Sequence, residues 1–134
     1  MAGYSGTPLP VKLGIRTGHR VAVVGGELPG GLPPDVERAT SLTGPLDVVV
    51  LFVTARADLV QALPLVRDAM APAAGCWVAW PKKAAVKAGR AAPTDMTEDV
   101  VRELALPTGL VDNKVCAIDD VWSGLRLVIR RELR

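Results

Sequence analysis

The amino-acid sequence predicts an α/β fold with one mostly parallel, doubly wound sheet of about six strands and a C-terminal antiparallel hairpin. The first observation behind this is the run LDVVVLFV, Leu46 to Val53, which is almost entirely apolar and rich in β-branched residues. A strand buried on both faces of a parallel sheet has this composition. The second observation is an amphipathic helix between such runs, and the third is a pair of C-terminal strands joined by a short link. Leu46 to Val53 is therefore predicted to be a central strand.

Length and composition predict a single domain over residues 1–134. The chain is 49% hydrophobic but only 4% aromatic, so Val, Leu and Ala must fill its core. Cys76 and Cys116 each lie in an apolar run and are predicted to be reduced thiols. The formal net charge of +2 is small, which argues against a nucleic-acid-binding protein. No metal-ligand spacing, signal sequence or membrane-length apolar run is present, so we expect a cytoplasmic protein without a metal site.

The first third of the chain alternates turn-rich segments with two short strands. Glycine, serine and proline mark the turns, and β-branched residues mark the strands. In order, the segments are an N-terminal arm over residues 1–12, one helical turn at Lys12 to Ile15, a buried strand at Val21 to Val24, the glycine pair Gly25 and Gly26, a loop from Glu27 to Pro34, and an edge strand within Val36 to Leu42. Glu27 to Pro34 reads ELPGGLPP, which contains too much proline and glycine for a helix.

The segment after Thr54 has the periodicity of an amphipathic helix. Leu59, Leu63, Val66 and Met70 recur at helical spacing, which predicts one apolar face. Pro64 lies inside this pattern, so we expect a kink there, or a break with Pro64 starting a second helical piece.

The last part of the chain is predicted to supply three more strands, one flexible loop and one helix. Asp95 followed by Glu98 matches a capping box and predicts the start of the helix, which continues through Val100, Val101 and Leu104. The remaining segments are a buried strand at Cys76 to Trp80, the loop at 84–93, and two strands at Leu110 to Ile118 and Gly124 to Arg131. The link between the last two strands is too short for a parallel crossover, so they must form an antiparallel hairpin.

Ligands of an open α/β sheet bind beyond the carboxyl ends of its strands. In this chain that edge collects residues that follow predicted strands, and we take them as candidate ligand-binding residues: Gly25, Gly26, Thr54, Arg56, Trp80, Lys82 and Lys83. Lysine and arginine beside helix N-termini could hold a phosphate or carboxylate. The alternative is that these charged side chains are ordinary solvated loop residues.

Other noticeable residues have a structural explanation beside the functional one. Trp80 could stack on a planar ligand, whereas the alternative is that Trp77, Trp80 and Trp122 cover edges of the core. His19 has no predictable base or metal partner, which favours a surface or capping role. Asp119 and Asp120 are predicted to serve the hairpin turn. No catalytic residue is predicted.

The N-terminal arm includes the segment Tyr4, Ser5, Gly6 and Thr7, in which the tyrosine, serine and threonine carry hydroxyl groups ahead of the fold. It could fold over the carboxyl edge as a lid or as a partner-binding strand. The alternative is an ordinary frayed terminus.

The order of LGIRTGHRVAVVGG, LDVVVLFV, an amphipathic helix, GCWVAWPKK and a final hairpin resembles the Rossmann-like class I S-adenosylmethionine-dependent methyltransferases. The resemblance covers Leu13 to Glu132 and implies a cofactor site at the glycine loop after the first strand. The phrases YSGTPL, WVAWPKK, LPTGLVD and WSGL are also similar to an actinobacterial protein family of unknown function.

The chain departs from the methyltransferase pattern where that family holds its cofactor. The family loop has an acidic residue followed by Gly-x-Gly-x-Gly, but here Val24 precedes Gly25, Gly26 and Glu27. The acidic residue at the end of the second strand has no clear counterpart unless it is Glu37. The family's second helix and third strand would lie between Gly26 and Asp47, where the chain is too short. We therefore expect a shortened methyltransferase-like fold without a cofactor, with S-adenosylmethionine as the alternative.

These observations lead to three hypotheses about function. The first is a degenerate, non-catalytic methyltransferase-like protein that binds a protein partner or a small anionic ligand. The second is an S-adenosylmethionine-dependent methyltransferase that is active as a homodimer. The third is a nucleic-acid-binding accessory protein that uses Lys82, Lys83, Lys87 and Arg90.

Overall fold

A computed structural model describes residues 6–134, so Tyr4 and Ser5 of the N-terminal arm lie outside the described residues. The strands are β1 (Arg20–Val24), β2 (Glu37–Arg38), β3 (Leu46–Phe52), β4 (Met70–Pro81), β5 (Leu110–Ala117) and β6 (Trp122–Ile129). The helices are α1 (Leu9–Lys12), α2 (Arg56–Ala69), α3 (Lys83–Lys87) and α4 (Glu98–Ala105), and short 3-10 turns lie at Leu106–Thr108 and Arg131–Leu133.

All six strands form one sheet with the order β2-β1-β3-β4-β6-β5. β2, β1, β3 and β4 are parallel to one another, while β6 runs antiparallel to both β4 and β5. This confirms the predicted mostly parallel α/β sheet of six strands, the central position of the LDVVVLFV strand and the C-terminal hairpin.

The two faces of the sheet are covered differently. On one face, Val49 and Leu51 belong to a core cluster that includes Leu59 and Leu63 of α2 and Val101 of α4, and we call this the helical face. On the other, Val48 and Val50 pack with Leu13, Ile15 and Leu28, which come from loops, and we call this the loop face. Alternate residues of β3 point to opposite faces, so both its faces are buried.

The loop face is closed by the segments where the methyltransferase pattern would have more structure. Only the two-residue strand β2 and loops lie between Gly26 and Asp47. Leu28 is buried there, and Leu32 and Val36 pack against the same cluster. On this face Trp77 is fully buried, and its indole Nε1–H donates a hydrogen bond to the Leu13 carbonyl over 2.9 Å. That bond ties the N-terminal segment to the centre of the sheet.

Several local expectations need correction. The predicted helical turn at Lys12 to Ile15 lies earlier, as α1, and Pro8 and Pro10 flank its start because proline is compatible with a first helical turn. α2 is one unbroken helix through Pro64, so of the two expectations there, a kink or a break, the break is wrong. β4 begins at Met70, directly after α2, and is longer than the predicted Cys76 to Trp80 because irregular pairing with β3 absorbs the extra residues.

Two further corrections concern the region after β4. The predicted loop at 84–93 contains most of α3, because Ala85 is buried and gives that turn a tertiary anchor. The predicted capping residue of α4 is also wrong. Thr97 is the N-cap, and its hydroxyl oxygen accepts a hydrogen bond from the Val100 backbone N–H over 3.1 Å.

Candidate functional site

The glycine pair after β1 lies directly against the end of β3. Gly25 has a φ of +82°, and a Cβ on it would collide with the carbonyl oxygen of Phe52. A Cβ on Gly26 would lie 2.8 Å from the Cγ atom of the Phe52 ring. The Phe52 ring also makes an edge contact with Trp122, with 5.1 Å between ring centroids. Because Gly25 and Gly26 have no Cβ, the loop after β1 can lie in direct contact with Phe52.

An ion pair connects the glycine loop to the end of β2. Arg38 donates two hydrogen bonds to the carboxylate of Glu27, over 2.8 and 3.0 Å. The hydrogen bond from Arg38 lowers the pKa of Glu27. Glu37 lies at the opposite end of the two-residue strand, where its carboxylate accepts a hydrogen bond from Arg20 over 2.9 Å. Arg38, at the carboxyl end of β2, is thus paired with the residue that directly follows the glycine pair.

The start of α2 is capped from a distant part of the chain. Ala55, at the N-cap position, has no side-chain oxygen, so the Arg56 backbone N–H donates instead to Asp95 Oδ1 over 2.7 Å. The hydroxyl of Thr94 donates to the Thr54 carbonyl over 2.5 Å. Thr54 and Arg56, two of the predicted site residues, are thus held by the segment 94–97. The Asp95 carboxylate therefore lies at the N-terminus of α2, which is the positive end of the helix dipole.

Trp80, Lys82 and Lys83 follow one another at the end of β4 but have different environments. Trp80 is 7% exposed and packs in the core of the helical face, which agrees with the structural explanation of the tryptophans. The backbone N–H of Lys82 donates to the Val121 carbonyl over 2.8 Å, which fixes the strand end against the hairpin link. Lys83 is exposed at the first position of α3.

Lys83 also lines a cleft of about 300 Å³ between α3 and the segment 94–97. Lys87 lies one turn further along α3 and lines the same cleft, together with Thr94, Asp95 and Thr97. Among residues 6–134, neither lysine forms an ion pair. The sequence predicts Lys83 as a candidate ligand-binding residue and names Lys87 only with Lys83 in the nucleic-acid hypothesis. It does not predict α3, the helix that brings both lysines to one cleft.

Five of the seven predicted site residues form two groups, while Trp80 lies in the core and Lys82 is bonded to the hairpin link. Gly25 and Gly26 contact Phe52 on the loop face, whereas Thr54, Arg56 and Lys83 meet the segment 94–97 on the other side of the edge. Asp95 also belongs to the second group, although its position in the sequence does not indicate this. Its hydrogen bond with the distant backbone N–H of Arg56 places it there.

His19 and Asp119 each accept hydrogen bonds from the backbone. His19 Nδ1 accepts a hydrogen bond from the Arg16 backbone N–H over 3.1 Å. Asp119 Oδ1 accepts from the backbone N–H groups of Val121 and Trp122, both over 2.8 Å, which shapes the hairpin link. Residues 6–134 hold no group of three or more His, Cys, Asp or Glu side chains suited to a metal ion. No helix within this range has the length and apolar character needed to cross a bilayer.

A second cleft at the carboxyl edge, of about 380 Å³, lies on the loop-face side. Gly6 and Thr7 of the N-terminal arm line it, opposite Pro29 and Ile118. The described end of the arm therefore lies beside the carboxyl edge of the sheet.

Comparison with known proteins identifies the fold. The sequence matches no protein-family model and no curated protein. Among solved structures, the chain is similar to the mitomycin 7-O-methyltransferase MmcR, with 12% identity and a TM-score of 0.60, over 84% of this chain and 49% of that one. It is similar to the magnesium protoporphyrin IX methyltransferase ChlM from Synechocystis PCC 6803 with bound SAH, with 12% identity and a TM-score of 0.60, over 90% of this chain and 78% of that one.

The fold is methyltransferase-like. A third similar structure is the N,N-8-amino-8-demethyl-D-riboflavin dimethyltransferase RosA from Streptomyces davawensis, with 18% identity and a TM-score of 0.60, over 83% of this chain and 49% of that one. The chain thus spans about half the length of two of these enzymes and about three quarters of the other. Identities this low establish the shared architecture and leave activity to the residues of the site.

Proposed function

We propose that this chain is a methyltransferase-like protein that does not transfer methyl groups, and that it binds a small anionic ligand in the cleft between α3 and the segment 94–97. The first half of this proposal, that the protein does not transfer methyl groups, rests on the contact of Gly25 and Gly26 with Phe52. In the methyltransferase pattern the glycine loop accommodates the methionine part of the cofactor. Here the same kind of loop accommodates the backbone and ring of Phe52.

The ion pair between Glu27 and Arg38 supports the same conclusion. A carboxylate that accepts both ribose hydroxyls is expected at the end of the second strand of a methyltransferase. Arg38 at this position has no acceptor atom, and both oxygens of Glu27 are engaged by it. A cofactor would have to break this pair and would find a cation beside its ribose.

The second half of the proposal rests on Lys83 and Lys87. Both line the cleft of about 300 Å³ and neither has an acidic partner within residues 6–134. The hydroxyl-bearing residues Thr94 and Thr97 add polar atoms to the same wall, while Met96 and Val86 supply apolar area. A few polar groups on a partly apolar wall are typical of small-molecule sites. Asp95 also lines the cleft, and its carboxylate would repel an anion. The ligand would therefore bind on the side of the cleft that carries Lys83 and Lys87.

Isothermal titration calorimetry with S-adenosylmethionine, S-adenosylhomocysteine and inorganic phosphate tests both halves. We expect no heat of binding with the first two compounds and measurable binding of phosphate. The double variant K83Q/K87Q should weaken phosphate binding, whereas the control K114Q removes a lysine from β5 and should not. Tight binding of S-adenosylhomocysteine would overturn the first half. Phosphate binding that is equal in wild type and K83Q/K87Q would overturn the second.

A methyltransferase that is active as a homodimer is the second candidate, and the shared fold favours it. ChlM was solved with SAH bound, and this chain covers 78% of it. Sedimentation equilibrium combined with the same titrations separates the candidates. A dimer that binds S-adenosylhomocysteine supports the enzyme, whereas a monomer without such binding contradicts it.

A further inference from the structure

A third cavity lies at the opposite, amino end of the parallel strands, on the loop-face side of the sheet. It has a volume of about 320 Å³. Its polar lining comes from Arg16 and His19 ahead of β1, Asp47 near the start of β3, and Arg126 on β6. Ala73 and Ala74 form part of its wall beside the irregular pairing of β3 with β4. The cavity is remote from the carboxyl edge and from Lys83 and Lys87.

Arg126 is the central cation of this cavity. Its guanidinium lies against Gly75, where a Cβ would stand 2.5 Å from Nε and 2.8 Å from Cζ. Its hydrogen-bond partner is the amide oxygen of Asn113, at 3.4 Å, and no carboxylate within residues 6–134 pairs with it. Burial lowers the pKa of Arg126, and the positive charge of Arg134 adds to this effect. The guanidinium is thus partly desolvated without a compensating anion.

The other polar groups leave hydrogen-bond donors available in the cavity. Because His19 Nδ1 accepts from the Arg16 backbone N–H, the proton of the neutral imidazole is on Nε2, which is then a free donor. The guanidinium of Arg16 has no carboxylate partner in the described part of the chain. Asp47 is the acidic residue of the lining, and its Oδ2 already accepts from the Arg20 backbone N–H over 2.8 Å.

We propose that this cavity binds a small oxyanion, a carboxylate or phosphate group on a short carbon skeleton, between the guanidinium groups of Arg126 and Arg16. Two planar guanidinium groups supply paired N–H donors that match the oxygens of either anion. The alanine wall and Val48 accommodate a short apolar body. This site is independent of the one proposed at Lys83 and Lys87.

Titration calorimetry of the full chain with inorganic phosphate and with citrate tests this proposal, and the two probes separate a phosphate from a carboxylate ligand. R126M keeps an unbranched apolar stem and removes the charged guanidinium, and it should weaken binding by at least about tenfold because charge-assisted hydrogen bonds are lost. The control K114M removes a positive charge from the residue paired with Arg126 on β5 and should bind as wild type does.

G75A is the second variant, and it keeps every charge of the cavity. Its new Cβ would displace the Arg126 guanidinium, so binding should fall with no change in net charge. R126M, G75A and K114M are measured in the K83Q/K87Q background, which removes the phosphate site proposed at the carboxyl edge, so failure here and failure there are measured separately. Binding to K83Q/K87Q that survives both R126M and G75A overturns the proposal, as does a K83Q/K87Q protein that binds neither probe.

Discussion

The carboxylate of Asp95 accepts a hydrogen bond from the backbone N–H of Arg56 over 2.7 Å, although the two residues are 39 positions apart. A helix N-terminus leaves backbone N–H groups without partners, and a neighbouring side chain normally satisfies one of them. Ala55 has no such side chain, so the segment before α4 performs this role for α2. The stability of α2 therefore depends on the position of the segment 94–97.

Replacement of Asp95 by Ala should lower the free energy of unfolding by about 1 kcal/mol, because α2 loses its cap. D95N keeps an acceptor oxygen and should lose less. Asp120 is an exposed acid in the hairpin link, so D120A is the control for the change in charge. Urea denaturation measures all three variants. Equal stability of D95A and D120A would contradict the assigned cap.

Gly25 and Gly30 provide a matched pair for the glycine loop. Both have a φ near +80°, but a Cβ on Gly25 would meet the Phe52 carbonyl, whereas a Cβ on Gly30 would meet no atom within 4 Å. G30A should cost about 1 kcal/mol from backbone strain alone, while G25A should cost at least about 3 kcal/mol. Thermal and urea unfolding of the two variants measure the difference. A G25A variant as stable as G30A would mean that the loop does not lie against Phe52.

Trp77 should be less replaceable than Trp80. Trp77 is fully buried and its Nε1–H donates to the Leu13 carbonyl, whereas Trp80 is 7% exposed and forms no such bond within residues 6–134. W77F leaves that carbonyl without its partner, so it should lose about 1 kcal/mol more stability than W80F. Chemical denaturation of the two variants gives the difference. If W80F is the less stable protein, the hydrogen bond to Leu13 is not a major contribution.

Cys76 should make stability fall in alkaline solution. Burial raises the pKa of its thiol from 9.0 to about 12. Below pH 9 the thiol is neutral in both states, and its contribution to stability is fully present. Above pH 9 the unfolded thiol ionises while the native thiol stays protonated, so the free energy of unfolding falls by about 1.4 kcal/mol per pH unit.

The matched variant for this prediction is C76A. It should show a shallower decrease in stability between pH 9 and 11 than the wild-type protein, when both are followed by urea denaturation at each pH. Parallel pH dependences would show that the Cys76 thiol does not titrate with the burial assigned to it.

The sequence predicts the sheet well because strand patterns are local. The apolar run Leu46 to Val53 and the short hairpin link each specify their element without knowledge of the rest of the chain. Asp95 shows the limit of this approach. Its spacing to Glu98 suggested a local capping box, but its partner is Arg56, and only tertiary packing brings them together. Propensity likewise missed α3, which depends on the burial of Ala85.

The candidate site was predicted less completely than the fold. The sequence predicts a ligand loop at Gly25 and Gly26 because glycine after a first strand often lies close to a ligand. Sequence cannot say what approaches a glycine, and here the neighbour is Phe52. The sequence does not predict the cavity at Arg126, because its polar residues come from three distant segments and follow no spacing rule.

The outer strands of the sheet also bear on how this protein behaves at high concentration. An open sheet can add strands from another molecule at either edge. At one edge β2 has only two residues, and at the other the pairing of β5 with β6 shifts between Asp112 and Lys114. A shortened edge and a bulged edge with an exposed lysine are both poor templates for intermolecular strand pairing. The irregular hairpin thus protects the molecule against edge-to-edge aggregation.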